Sequence, residues 1–299
     1  TKMKITIGTR GSALALTQTE YVKSQLEKAY PMHTYEIKII RTKGDKIQDV
    51  ALDKINDKGI FVKEIEKELL DHTIDLAVHS LKDMPSTMAE GLTFAKTLSA
   101  SDYRDCLVLK NYKSLAELPK HSIIATGSKR RYYQLLAMRP DLQIVGIRGN
   151  VNTRLEKLRT QNIDGLVLAS AGLKRLGLED EITEYFDETQ MIPACGQGIL
   201  ALQVLKDSPL LEMLEAIGDE QANQRMKLES LFLAQVNGGC HIPVGSYAKQ
   251  EGNLIHFYAV LGNEDGSKLI KKDEVFSLDE GEEKVKEIAR KLKEEVYGR

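Results

Sequence analysis

The sequence predicts an α/β fold: two α/β units with largely parallel sheets, followed by a small α+β unit. Three observations predict it. Over the first two thirds, short apolar strand-like runs alternate with helical patterns, the mark of parallel strands joined by crossover helices. A charged connector, SASDYRD at 99–105, separates two such blocks. From about Gly218 the pattern changes to one helix, three strand-like runs and a closing amphipathic helix. At 299 residues the chain exceeds the size at which one core usually keeps growing. The expected domains are residues 1–98 with 196–217, residues 99–195, and residues 218–299.

Taken in order, the chain opens with a strand from Lys4 to Gly8, a polar turn and a helix. TYEIKII is a second strand, and GIFVKEIEKELL is a helix with Phe61, Ile65 and Leu69 at four-residue spacing. Ile74 to Val78 is a short apolar strand whose loop is closed by Pro85. In the second block SIIATGSKRRYYQLLAM reads as strand, turn and helix, and LQIVGIRGNVNTRLEKLR repeats it. There Asn150 is the expected N-cap of a helix striped by Val151, Leu155 and Leu158. IDGLVLASAGLKRLGL repeats the pattern again. MIPACGQG reads as a crossover, and ILALQVL as a strand returning to the first sheet. In the tail, a helix over about 221–235 precedes strands near 244–248, 254–262 and 267–276. The last helix carries Val285, Ile288 and Leu292 on one side.

Composition narrows the function classes. Net charge is −2, from 42 basic and 44 acidic side chains, so the whole-molecule field gives no reason to invoke nucleic acid. No apolar run of about 18 residues and no basic-then-apolar leader is present, so neither a membrane span nor secretion is expected. Cys106, Cys195 and Cys240 are odd in number and far apart, which argues for a reducing, cytoplasmic setting without disulfides. The six histidines form no ligand-spaced pair, so no metal site is expected. Gly196, Gly198 and Ala201 satisfy G-x-G-x-x-A, but the stretch follows Pro193 and opens a strand-like run, so it is not read as a dinucleotide site.

Ligands of open α/β sheets gather where strands end and loops enter helices. Those loops are charged here: Arg10 and Ser12, Lys82 and Asp83, Arg130 and Arg131, and Arg148, with Arg154 a turn further on. The expected result is a cation-lined cleft. Arg130 and Arg131 stand out, because cations in a helix's first turn oppose its macrodipole and a bound anion would reverse that cost. Asp83 is then a carboxylate in a cationic setting, suited to stabilising a developing cation. Asp102 and Asp105 are taken as connector residues of lesser consequence. Cys240 follows Gly238 and Gly239, which remove bulk and permit a sharp turn, and Pro243 stiffens the exit; a thiol on such a turn is placed for chemistry.

These residues carry a resemblance. TRGSALALTQ, TKGD, KGIFVKEIE, DLAVHSLKDMP, ATGSKRR, IRGNVNTRLEKL, AGLKRLGL, PACGQG and NGGCHIPVGSYA stand in the order found in the porphobilinogen deaminase (hydroxymethylbilane synthase) family, which the whole chain resembles. The resemblance implies two lobes like those of type II periplasmic binding proteins, and a third domain holding the cysteine. It implies a transferase of tetrapyrrole and heme biosynthesis, usually a monomer. Such an enzyme joins four porphobilinogen molecules head to tail, releasing ammonia and then the linear product hydroxymethylbilane. By the same resemblance Cys240 carries a dipyrromethane cofactor through a thioether and Asp83 is the catalytic carboxylate. Lys82, Asp83, Thr126, Gly127, Ser128, Arg130, Arg131 and Arg148 would bind the cofactor, and Arg10, Ser12, Arg148, Arg154 and Arg175 the substrate. The chain departs from the family at Gly127, where a second serine is common, at Ser230, and at Gln235, Val236 and Asn237. The competing class is a non-enzymatic two-lobed protein that captures a small oxyanion; it accounts for the arginines but not for Cys240 or Asp83.

Overall fold

The structure, a computed structural model, describes residues 1–42, 58–236 and 241–298. They form two compact units, Thr1–Ser101 with Gly198–Met226, and Asp102–Gln197 with Lys227–Arg299. Most of the TKGD run and residues 237–240, Cys240 among them, lie outside the described residues.

The elements follow in chain order. β1 (Lys4–Thr9), α1 (Ala13–Ala29), β2 (Thr34–Ile39), α2 (Lys63–Leu70), β3 (Leu76–Ser80) and β4 (Leu92–Phe94) belong to the first unit. The second holds β5 (Asp105–Leu109), β6 (Ile123–Ala125), α3 (Lys129–Met138), β7 (Gln143–Val145), α4 (Val151–Thr160), β8 (Gly165–Ala169), α5 (Ser170–Arg175) and β9 (Glu184–Phe186). β10 (Leu200–Leu205) and α6 (Leu210–Ile217) return to the first unit, and α7 (Glu220–Val236) follows. β11 (Val244–Glu251), β12 (Leu254–Gly262), β13 (Leu269–Ser277) and α8 (Gly281–Tyr297) close the chain.

The two five-stranded sheets repeat one topology, β2-β1-β3-β10-β4 and β7-β6-β8-β5-β9. In each, three parallel strands are followed by a strand that pairs antiparallel on both sides. The returning strand ILALQVL is therefore β10 of the first sheet, as its apolar run suggested. Gly196 and Gly198 have φ of 80° and 88°, which only glycine adopts without strain, and the G-x-G-x-x-A match leads into β10, not a helix. The third sheet is the antiparallel meander β11-β12-β13.

Burial follows the predicted stripes. In the first unit Ile5, Ile7, Leu76 and Leu202 pack on Val22 and Leu26 of α1, while Ile65 and Leu69 of α2 cover the other face with Ile74 and Leu92. On the third sheet Phe257 and Phe276 pack against Phe232 of α7 and Val285, Ile288 and Leu292 of α8. Glu229 of α7 is fully buried, and its two oxygens accept the N–H groups of Gly196 (2.8 Å) and Ala248 (3.0 Å). That single carboxylate ties the crossover to β11.

Three expectations change. α2 starts at Lys63, and Phe61 ends a separate 3₁₀ turn, Lys58–Phe61, so only Ile65 and Leu69 form the buried stripe. β3 starts at Leu76 instead of Ile74. SASDYRD is not merely a connector: Asp105 opens β5, whose first four residues are buried.

Candidate active site

In the first unit the C-terminal ends of β1 and β3 carry Arg10, Ser12, Lys82 and Asp83. The β1 turn passes Arg10 and enters α1 through Ser12, whose side-chain oxygen accepts the N–H of Ala15 (3.3 Å) and caps the helix. The Arg10 guanidinium lies 3.7 Å from the centre of the Phe61 ring, a cation–π contact that orients a long side chain. β3 runs into a 3₁₀ turn, Leu81–Asp83. Leu81 is buried and donates its N–H to the Ile199 carbonyl (2.9 Å), so the turn rests on a rigid strand end while Lys82 is half-buried and Asp83 exposed. A pocket of about 90 Å³ is lined by Arg10, Ser12, Gln18, Phe61, His79 and Asp83. Gln18 donates to Ser80 Oγ (3.0 Å).

His79 is a buried member of this pocket. Its Nε2 meets Gln203 Oε1 at 2.9 Å, and Gln203 Nε2 donates to Glu66 Oε2 at 2.8 Å. The amide oxygen only accepts, so Nε2 carries the proton. Burial pushes the imidazole down to about 4, which keeps it neutral at physiological pH.

In the second unit the loops after β6 and β7 present the other predicted residues. Thr126 is buried and its hydroxyl accepts the N–H of Ser128 (3.2 Å), so it shapes the turn. Ser128 caps α3 by accepting the N–H of Arg131 (3.2 Å). Gly127 is exposed, and a Cβ there would stand 3.0 Å from the Ile147 carbonyl, a physical reason for glycine where the family commonly has serine. Asn150 caps α4 as expected, accepting from Thr153 N (2.9 Å). Arg148 is exposed on the loop before it, and Arg154 Nε donates to the Gly149 carbonyl (2.8 Å). Arg175 ends α5, where its charge suits the helix C-terminus.

Arg130 and Arg131 depart from the expectation of open ligand clamps. Each is only 6% exposed, and both bind Asp105, which has no exposed surface. Arg130 donates to it at 2.7 and 3.2 Å and Arg131 Nε at 2.8 Å; Arg130 also reaches the Ile192 carbonyl (2.9 Å) and Arg131 that of Val167 (3.2 Å). The anion that offsets their place in the first turn of α3 is thus one of the chain's own carboxylates. Burial alone would raise the Asp105 carboxyl, but the two guanidinium groups prevail and hold it at about 2. The partners of Asp105 lie 25 and 26 residues away in sequence, beyond the reach of any local pattern.

Cys240 lies outside the described residues, and the description resumes at His241. Lys129 Nζ donates to the His241 carbonyl (2.9 Å), joining that residue to the first turn of α3. Cys106 and Cys195 are both buried, and burial pushes the Cys106 thiol up to about 11. Phe61, Gln18, Asp105 and Lys129 were not singled out from the sequence as site residues; the cation following Ser128 was the one visible hint.

In each α/β unit, charged side chains stand on the loops that follow parallel strands, and in the first unit they share a pocket with the Asp83 carboxylate. A family model described as porphobilinogen deaminase, dipyromethane cofactor binding domain, matches residues 5–213, and one described as the C-terminal domain of porphobilinogen deaminase matches residues 223–294. The porphobilinogen deaminase of Clostridium novyi (strain NT) is 48% identical over 98% of this chain and 100% of its own length. That of Clostridioides difficile (strain 630) is 49% identical over 90% of both chains. Among solved structures, a periplasmic substrate-binding protein of an ABC transporter from Coxiella burnetii covers 75% of this chain and 96% of its own, at 15% identity and a TM-score of 0.44. The chain belongs to the porphobilinogen deaminase family.

Proposed function

We propose that this chain condenses porphobilinogen head to tail on a dipyrromethane primer attached to Cys240, with Asp83 as the catalytic carboxylate. The observation that carries this reading is Asp83 itself, an exposed carboxylate on a buried-footed turn that shares a pocket with Arg10 and Ser12. Family membership favours this enzyme over an oxyanion-binding protein, in which a carboxylate in the pocket would repel the ligand. We take it to act in the cytoplasm as a monomer on a small-molecule substrate, with no nucleic-acid or membrane partner. Among the described residues no helix is long and apolar enough to cross a membrane.

The residues fit a polycarboxylate cofactor. In the first turn of α3 Arg130 and Arg131 share the single carboxylate of Asp105 and Lys129 is held by backbone carbonyls, so the turn keeps a surplus of positive charge. Ser128 and Arg148 would meet the cofactor's carboxylates and Arg130 and Arg131, bound to Asp105, would add their surplus positive charge, with Lys82 and Asp83 beside its rings and Thr126 and Gly127 shaping the turn. The cofactor supplies, when bound, a nucleophilic pyrrole carbon on a covalent tether. Arg10, Ser12, Arg154 and Arg175 would hold the substrate's acetate and propionate groups. Asp83 would stabilise the positive charge that develops as the substrate's amine departs, an electrostatic role set by a fixed turn.

Peptide mapping of the purified protein tests the reading. The dipyrrole mass should sit on the Cys240 peptide and on neither Cys106 nor Cys195, whose thiols are buried. An unmodified Cys240 in active protein would refute it. Arg154→Leu should let early additions proceed and then stall, since carboxylate load grows by two with each pyrrole. A lost bidentate contact slows a step by roughly tenfold or more. Native mass spectrometry after porphobilinogen addition reads this as accumulated partly extended species, and a wild-type distribution would remove Arg154 from the binding set.

A further inference from the structure

The cations in the first turn of α3 have separate answers. Arg130 and Arg131 are met by Asp105, but Lys129 points elsewhere: its Nζ donates to two backbone carbonyls, His241 at 2.9 Å and Glu264 at 3.2 Å. The first belongs to the residue that follows Cys240. The second belongs to the tip of the β12–β13 hairpin, Asn263–Lys268, which is folded on itself by Asn263 and Asp265. The hairpin also rests on α3 one turn later. Tyr133 OH donates to the same Glu264 carbonyl (3.4 Å), and Gly266, with φ of 73°, lies so close to the Tyr133 ring that a Cβ would stand 2.0 Å from it. A lysine at this position opposes the helix macrodipole by roughly 0.3–1 kcal/mol, so its place on α3 needs compensation, which two carbonyls supply.

We infer that Lys129 is a positioning residue for the cofactor-bearing turn: its ammonium latches the chain just after Cys240, and the hairpin tip, to the start of α3. The latch acts on the backbone, so it is indifferent to the side chains at 241 and 264 and depends only on a donor at 129. Val236 at the end of α7 and Pro243 are buried, which anchors the chain on either side of residues 237–240 by packing. His241 and Ile242 are half-buried, and between those anchors the Lys129 bond is a polar tether. Two charge-assisted bonds from one ammonium make it the stronger kind of tether. The role in cofactor loading rests on the assignment of Cys240 above; the latch itself does not.

The test compares full-length wild type, Lys129→Met and Lys129→Arg in two measurements. Hydrogen exchange followed by mass spectrometry reads the latch directly. Lys129→Met should speed exchange in the peptides covering 241–245 and 263–267 together by about tenfold, the scale of one to two lost charge-assisted hydrogen bonds. Lys129→Arg, which keeps the donors, should stay near wild type. Unchanged exchange in Lys129→Met, or equal loss in both variants, overturns the latch whether or not cofactor is bound. The second measurement starts from protein made without porphobilinogen, adds porphobilinogen, and follows the adduct by intact mass. Loading should slow in Lys129→Met and recover in Lys129→Arg at an unchanged thermal midpoint. Loading at the wild-type rate in Lys129→Met overturns the positioning role. A wild type that never acquires an adduct refutes the function assigned to Cys240 and leaves the exchange result to decide the latch.

Discussion

Asp83→Asn should lower turnover by at least about 100-fold, the scale for removing one preorganised electrostatic group, while leaving the fold intact. The substitution is nearly isosteric and falls on an exposed side chain whose turn is held by Leu81, through its buried side chain and its bond to Ile199, and not by the carboxylate. Binding should be less affected than turnover, since Arg10 and Ser12 remain and a negative charge is removed from the pocket proposed to take the substrate's carboxylates. The signature is a fall in kcat with KM unchanged or lower. Steady-state rates of product formation, alongside a thermal melt, check both halves. Near-normal turnover would remove Asp83 from the chemistry, and a collapsed melt would make its role structural.

Asp105→Asn should do the opposite, costing stability first. The variant leaves two guanidinium groups, each about nine-tenths buried, without their anion. Breaking a buried pair by removing one partner costs about 3–5 kcal/mol. At roughly 2–4 °C per kcal/mol that lowers the melting midpoint by on the order of 10 °C. Arg130→Leu and Arg131→Leu should also destabilise, because each weakens the compensation of a fully buried carboxylate, so their effect on activity must be read beside a melt. The pH dependence has a definite sign. The folded carboxyl sits at about 2, below its ordinary value of 3.8, so its contribution is fully present above that ordinary value and is lost as pH falls from there towards 2. The stability gap between wild type and Asp105→Asn should therefore narrow over that window. A constant gap from pH 7 to pH 2, measured by denaturant titration, would show that the pair does not stabilise the fold.

These two predictions separate carboxylates that look alike in the sequence. Asp83 and Asp105 each lie beside a cation, at the end or the start of an apolar run. One is exposed at the C-terminal end of β3; the other is buried at the first residue of β5. The strand polarity that distinguishes them comes from the antiparallel pairing of β5 with β8 and β9.

What the sequence determined by itself is what is encoded locally. Periodicity marked α4, α8 and the Ile65 and Leu69 stripe of α2, the cap Asn150 stands directly before the stripe it starts, and the crossover glycines mark backbone that only glycine adopts without strain. The strand-end loops carrying Arg10, Ser12, Lys82, Asp83 and Arg148 were legible too, because the charge stands next to an apolar run. What only the tertiary structure decided is which charges meet each other. Arg130 and Arg131 read as clamps for a ligand because a cation in a first turn asks for an anion, and local sequence cannot say whose. The answer is Asp105, brought from the start of another strand by sheet pairing, with Glu229 and Lys129 serving as comparable long-range ties. Helical and strand patterns are written over a few residues, whereas desolvated ion pairs are fixed by the packing of elements far apart in the chain, where burial makes each unpaired charge too costly to leave.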